Sequence, residues 1–232
     1  MTDFHQIYAA QADAYEAMVA AEDYQGNLWR ALESVRPLGG LDVIELGAGT
    51  GRLTLYLAPR VRSISAFDQS AHMLSVTEAK LHAAGLTNAR TGVADNGALP
   101  VPSASADLAI AGWSLGHSCG WFPETWREVI GQAVGEMLRV LRPGGTAIIF
   151  ETLGTGTDRP GAPTAGLEAY YQFLETTYGF TRTVIPTDYQ FASPEDAAAK
   201  TRFFFGDTLA DRLIAEGRSL LPEWTGMWHK HR

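Results

Sequence analysis

Cysteine is almost absent from this 232-residue chain. A single residue, Cys119, excludes an intrachain disulfide and any all-cysteine metal site. Long apolar runs are lacking too: none approaches the ~20 residues needed to span a bilayer, so no membrane partner is expected. Basic charge is scarce, with 18 Lys and Arg against 26 Asp and Glu and a formal net charge of −8. Nucleic-acid binders ordinarily carry the opposite sign, because phosphate neutralisation supplies much of their affinity, so nucleic acid is not an expected partner. The tail from Trp228 to Arg232 is locally basic but too short to reverse that. Repeats and low-complexity segments are also missing. The opening six residues are acidic and run into a polar, helix-like stretch, which does not read as a signal peptide. A cytoplasmic protein is expected.

What is present is ordinary for a globular chain: 46% hydrophobic and 19% charged residues. This length buries roughly 70–75% of the unfolded surface, enough for a core without staples. One domain over residues 1–232 is expected. Residues 3–36 read as two helices, with Phe4, Ile7, Tyr8, Tyr15, Met18 and Val19 at helical offsets, Gly26 inside the second, and Pro37 to Gly40 ending it. After Gly40 short apolar runs alternate with helical patterns. Strands are expected over 41–46, 62–67, 88–94, 106–112 and 146–152. Helices are expected over 52–58, 71–84 (capped by Ser70) and 125–141. That alternation predicts an α/β fold with a parallel sheet and helices on both faces. Right-handed crossovers then put every strand C-terminus on one edge, where open α/β sheets bind ligands. Beyond a Gly-, Thr- and Pro-rich loop at 153–163, a helix is expected over 168–178 and a strand over 180–191. A helix start at Ser193-Pro194, a break near Gly206 and a last strand over 224–231 complete the chain.

The most informative segment runs from Val43 to Arg52, with Gly47, Gly49 and Gly51 between a strand and a helix. Such a turn needs unusual backbone angles and lets the backbone approach a ligand, while the helix N-terminus offers free N–H groups. A dinucleotide fingerprint would be Gly-x-Gly-x-x-Gly, but Arg52 stands at the sixth position. Glu45 lies two residues before the first glycine, at the strand mouth. A carboxylate there repels a pyrophosphate and attracts an amine, which disfavours a nicotinamide oxidoreductase. Its alternative role is to pair with an arginine or cap a loop. Asp68 ends the second strand near the spacing at which an acid reaches a ribose diol. Helix capping is the alternative, although Ser70 already fills that role. Asp95, at the end of the third strand, suits an adenine amino group or, beside Asn96-Gly97, a turn.

These segments resemble the class I S-adenosylmethionine-dependent methyltransferases of the small-molecule kind. The resemblance rests on Glu45 to Gly51, on Asp68 in Phe67-Asp68-Gln69-Ser70, and on Ala94-Asp95-Asn96. Two further stretches carry it, Asp107 to Trp113 and Arg139 to Gly145. It covers about residues 40–152. It implies a Rossmann-like seven-stranded mixed sheet whose last strand is antiparallel, with an N-terminal helical lid (1–38), a cofactor-binding core (39–152), and a substrate-side helix and edge strands (153–232). It also implies S-adenosyl-L-methionine as cofactor and S-adenosyl-L-homocysteine as product. Gly47, Ala48, Gly49 and Gly51 would run along the methionine part and ribose, and Glu45 would sit near the ammonium. Asp68 would hold the ribose hydroxyls, Gln69 would lie beside adenine, and Asp95 with Asn96 would take its amine. Trp113 would touch the methionine moiety. Gln69 departs from the family, where an apolar residue often lies there.

In-line methyl transfer expels a neutral thioether, so the protein need not protonate the leaving group. Positioning can supply ~7–11 kcal/mol, and a base is needed only if the acceptor carries a proton. His117, just past the fourth strand, is the candidate base; its alternative is a loop histidine bonded to backbone. Tyr8 and Tyr15 share a helix face. By the same resemblance they would cover the cofactor or touch the acceptor; otherwise they form a core stripe. Cys119 reads as packing, and no metal is expected. A small-molecule acceptor is the expected partner. Trp121, Phe122, Glu151, Tyr170, Tyr171 and Phe173 either line its pocket or pack on the sheet. A non-catalytic cofactor-binding subunit and an aminopropyl transferase remain alternatives.

Overall fold

The computed structural model describes the backbone of residues 12–232 and side chains from residue 14 onward. Tyr8 lies outside the described residues. Helices α1 (Ala12–Val19) and α2 (Asn27–Val35) precede the first strand. Gly26 stands just ahead of α2 rather than inside it, with φ of 69°. The cap is Asp23, whose carboxylate accepts the Asn27 and Leu28 N–H groups at 2.7 and 3.0 Å.

The chain then alternates as its sequence predicts. It runs through β1 (Asp42–Leu46), α3 (Arg52–Leu57), β2 (Ser63–Asp68), α4 (Ala71–Ala83), β3 (Ala89–Val93) and β4 (Ala106–Gly112). The one-turn α5 (Ser118–Trp121), α6 (Trp126–Val140) and β5 (Leu141–Thr155) follow. The last third holds α7 (Ala165–Thr176), β6 (Thr181–Pro186), β7 (Tyr189–Gln190), α8 (Pro194–Phe205), α9 (Asp207–Ala215), β8 (Leu220–Leu221) and β9 (Glu223–His231). Seven strands make one sheet in the order β3-β2-β1-β4-β5-β9-β6. The pairs β2–β3, β1–β2, β1–β4 and β4–β5 are parallel. The last strand, β9, is antiparallel: Gly144 N–H donates to the Arg232 carbonyl and Arg232 N–H to the Gly145 carbonyl, joining the start of β5 to the chain end. The chain divides into two compact units.

The larger unit holds residues 33–151, 162–183 and 226–232. β1, β2, β4 and the middle of β5 are buried almost continuously, as strands covered on both faces must be. Ser70 caps α4 as expected, its side chain accepting the Met73 N–H. The fifth strand starts earlier than its apolar run, because Leu141 already pairs with Ala106. Pairing resumes only at Thr146, and Gly144 (φ 78°) lies in the bulge between. Asp42 and Asp107, at or beside the starts of β1 and β4, share Arg142 at 2.9 Å each. This charged clasp sits at the N-terminal edge of the sheet, where it closes the base of the fold. The hydrogen bond from Arg62 holds the Asp42 carboxyl well below its ordinary range.

The smaller unit holds residues up to 32, 152–161 and 184–225. Its core is Met18, Tyr189, Phe191, Ala197, Leu213 and Leu221, with Tyr15 and Phe203 to Phe205 packed against it. The single strand expected over 180–191 is broken. β6 ends at Pro186, the Thr187 N–H turns to the Glu223 carbonyl at 2.8 Å, and Tyr189–Gln190 pairs instead with β8. Ser193 caps α8, and Gly206 (φ 86°) separates α8 from α9 as expected.

Candidate functional site

The site is built within the larger unit, where β1, β2, β3 and β4 end. Gly47, Gly49 and Gly51 all have positive φ, at 65°, 54° and 87°. The reasons for glycine differ along the turn. A Cβ on Gly47 would lie 2.4 Å from the Ser114 Cβ, so this glycine lets the ends of β1 and β4 close on each other. A Cβ on Gly51 would lie 2.8 Å from the Thr77 methyl, so this glycine lets α3 pack on α4. Ala48 is buried, and its N–H donates to the Phe67 carbonyl at 2.9 Å. The Thr77 hydroxyl donates to the Gly49 carbonyl at 2.7 Å, which fixes the middle of the turn.

Asp68 ties the turn to β2. One carboxylate oxygen accepts the Gly49 N–H and the other accepts the Ser70 N–H, both at 2.8 Å. Each oxygen keeps a lone pair for a further donor. Asp95 does serve its turn, accepting the Gly97 N–H at 2.7 Å. Its second oxygen accepts the Gln69 side-chain amide at 3.0 Å. The structure thus gives Gln69 a polar task that its type alone left open.

Glu45 is 1% exposed. Its partner is the Thr54 hydroxyl on α3, donating at 2.6 Å, and not an arginine. Burial pushes the Glu45 carboxyl up to about 8, and the negative charge of Asp68 adds to the rise. Thr54 escaped the sequence reading; its signal was a polar residue at a buried position of a helix. Ser114 escaped it as well. The Ser114 Oγ and the Asn96 Oδ1 are buried without a hydrogen-bond partner. Both residues border Gly47: a Cβ there would also come within 3.7 Å of the Asn96 Nδ2. Buried polar atoms are seldom left so, and these two lie together beside Gly47.

Trp113 has φ of 48°, unusual for a bulky side chain and of the kind that gathers at functional sites. Its ring stacks on Phe150 at 5.7 Å between centroids, and the Arg52 guanidinium lies 3.8 Å over it. Arg52, which excludes the dinucleotide fingerprint, is thus a cover for Trp113. His117 lies in the 3₁₀ turn Leu115–His117, stacked on the half-exposed Trp121 at 5.0 Å. Below that turn Glu151 is buried, accepting the Gly116 N–H at 2.9 Å. Tyr170 and Tyr171 are core residues, each under 2% exposed. Trp121 and Phe122 are exposed. In the smaller unit Tyr15 meets Phe204 at 5.6 Å, as a member of a packed stripe.

A profile of the methyltransferase-domain family matches residues 43–145. A malonyl-[acyl-carrier protein] O-methyltransferase of Pectobacterium atrosepticum is 28% identical over 152 residues, covering 66% of this chain and 53% of that protein. A demethylmenaquinone methyltransferase of Lactococcus lactis is 28% identical over 153 residues, covering 63% of this chain and 57% of that protein. The chain thus spans a little over half the length of these curated relatives. A SAM-dependent methyltransferase structure from Aquifex aeolicus shares the fold with a TM-score of 0.55 at 14% identity, over 92% of this chain and 97% of that one. Among the described residues no helix is long and apolar enough to cross a membrane.

Proposed function

We propose that the chain is a class I S-adenosylmethionine-dependent methyltransferase, which binds S-adenosylmethionine at the strand mouth and methylates a small-molecule acceptor. The observation that carries this reading is the pair of unpartnered buried atoms, Asn96 Oδ1 and Ser114 Oγ, around Gly47. They fit the polar end of a ligand lying along the glycine turn. When bound, the cofactor supplies an electrophilic methyl on a sulfonium, whose leaving group is a neutral thioether.

The residues divide the work. Asp68 accepts from ribose hydroxyls with the lone pairs that Gly49 and Ser70 leave. Asp95 accepts from the adenine amine, held in place by Gln69 and Gly97. Glu45 answers the methionine ammonium, and Trp113 packs against the methionine chain. His117 removes a proton where the acceptor carries one at reaction pH. Two relatives, named for malonyl-[acyl-carrier protein] and for demethylmenaquinone, support an organic acceptor. The acid at each strand mouth does the holding, and the turn after β4 faces the acceptor.

The test has two stages. Calorimetry on the folded protein is expected to detect S-adenosylhomocysteine; no binding of it or of S-adenosylmethionine sinks the reading. A metabolite-library screen that reads out S-adenosylhomocysteine is then expected to return an acceptor. Binding without turnover across the library would instead favour a non-catalytic cofactor-binding subunit.

A further inference from the structure

One buried acid, Glu151, lies outside the set of Glu45, Asp68 and Asp95. It sits in β5, 4% exposed. Its Oε1 accepts the Gly116 N–H at 2.9 Å and the Tyr170 hydroxyl at 3.4 Å. A Cβ on Gly116 would stand 3.0 Å from the Glu151 Oε2, so the turn lies directly on the carboxyl group. The same Cβ would stand 3.0 Å from the Leu167 side chain, a tight fit that glycine avoids. Gly116 is the middle residue of the turn whose last residue is His117. Trp121, at the end of the helix that follows, is the ring on which His117 stacks. A single buried carboxyl therefore anchors the segment that carries the histidine.

We propose that Glu151 is a positioning residue: through the Gly116 amide it fixes the turn after β4, and so sets where His117 stands toward the acceptor. This rests on the reading that the strand mouth is a methyl-transfer site, but the anchoring is measurable without cofactor. The groups around Glu151 make it the switchable member of its cluster. Burial pushes its carboxyl up to about 7. Burial and the Glu151 charge push the Tyr170 phenol on α7 far up, so it stays a donor. Burial also pushes the Cys119 thiol on α5 up to about 11, so it stays neutral. Of these three, only Glu151 changes charge near neutrality. Ionised, it grips the Gly116 N–H with a charge-assisted bond roughly twice as strong as the neutral one.

The experiment is NMR on the isotope-labelled full chain without ligand. In wild type the Gly116 amide proton is expected to move with pH around a midpoint near 7. Glu151→Gln keeps an acceptor oxygen but no charge. It is expected to hold the His117 ring signals at their wild-type positions and to abolish that midpoint. Glu151→Ala removes the anchor, and the ring-current shift that Trp121 imposes on His117 is expected to fall by about half or more. In Glu151→Gln, which keeps the anchor, affinity for S-adenosylhomocysteine is expected to stay within about twofold. A Gly116 amide that ignores pH in wild type overturns the proposal. So do wild-type His117 signals in folded Glu151→Ala. Should Glu151→Ala fail to fold, the wild-type titration and the Gln variant decide alone. Loss of S-adenosylhomocysteine binding in wild type would sink the cofactor reading and leave this measurement intact.

Discussion

At the scale of single residues, the acids at the strand ends differ in what water leaves them. Asp68 is half-buried and satisfied by two backbone amides, so it is an acceptor with capacity to spare. Asp68→Ala removes that acceptor and frees the Gly49 N–H. Affinity for S-adenosylhomocysteine is expected to drop about tenfold or more by calorimetry, the cost of one charge-assisted hydrogen bond. Glu45 is the opposite case: buried, and carrying its proton up to about 8. A ligand ammonium beside it favours the ionised form, so binding must expel a proton. Affinity is expected to rise with pH up to about 8, by as much as about tenfold per pH unit. The binding heat is expected to vary with the ionisation enthalpy of the buffer. Glu45→Gln is expected to remove both dependences. A pH-independent affinity in wild type would detach Glu45 from the ligand.

At the scale of elements, the sequence spoke clearly where a local rule acts alone. Ser70 and Ser193 cap their helices because a hydroxyl can take an orphan N–H without help from elsewhere. Ser193→Ala is expected to cost about 1 kcal/mol of stability, read as a lower denaturant midpoint at unchanged slope. Elements were misplaced where a long-range partner competes with the local pattern. The apolar run at 180–191 reads as one strand, yet Thr187 bonds to Glu223, 36 residues on, and the strand divides. Residue 141 looks like helix but pairs with Ala106. The glycine turn shows both kinds of information. Its positive φ values are written in the residue type. That Gly51 faces Thr77 is not, because the helix that brings Thr77 there is set by packing. Gly51→Ala is expected to destabilise the chain by about 1–3 kcal/mol, through backbone strain and overpacking together. A thermal melt unchanged from wild type would show that α3 and α4 can part freely.

At the scale of the whole molecule, buried acids set the response to pH. In the folded chain Glu45 and Glu151 keep their protons to about 8 and about 7, while in the unfolded chain both ionise in the ordinary carboxylate range. The folded state therefore binds more protons across that window. Stability from these groups is complete at acidic pH and is lost as pH rises through about 7 and 8. The limiting slope is about 1.4 kcal/mol per pH unit for each group. Asp42 and Glu136 act on the other side, since Arg62 and Arg139 lower them, and their contribution is lost as pH falls below the ordinary range. The ligand-free protein is expected to melt at lower temperature at pH 8 than at pH 5, by calorimetry. The double variant of Glu45→Gln and Glu151→Gln is expected to flatten that decline. An equal decline in wild type and double variant would place the lost protons elsewhere.

The sequence by itself determined the alternation of strands and helices, the glycine turn, and the acids at three successive strand ends. Each follows from periodicity, backbone freedom or spacing along the chain, all of which are local. The tertiary structure decided what those residues meet. It gave Glu45 a threonine for a partner, brought Ser114 and Asn96 around Gly47, set Arg52 over Trp113, and laid the Gly116 turn on Glu151. Each of these joins positions far apart in the chain, and only the close-packed fold brings them within reach of one another.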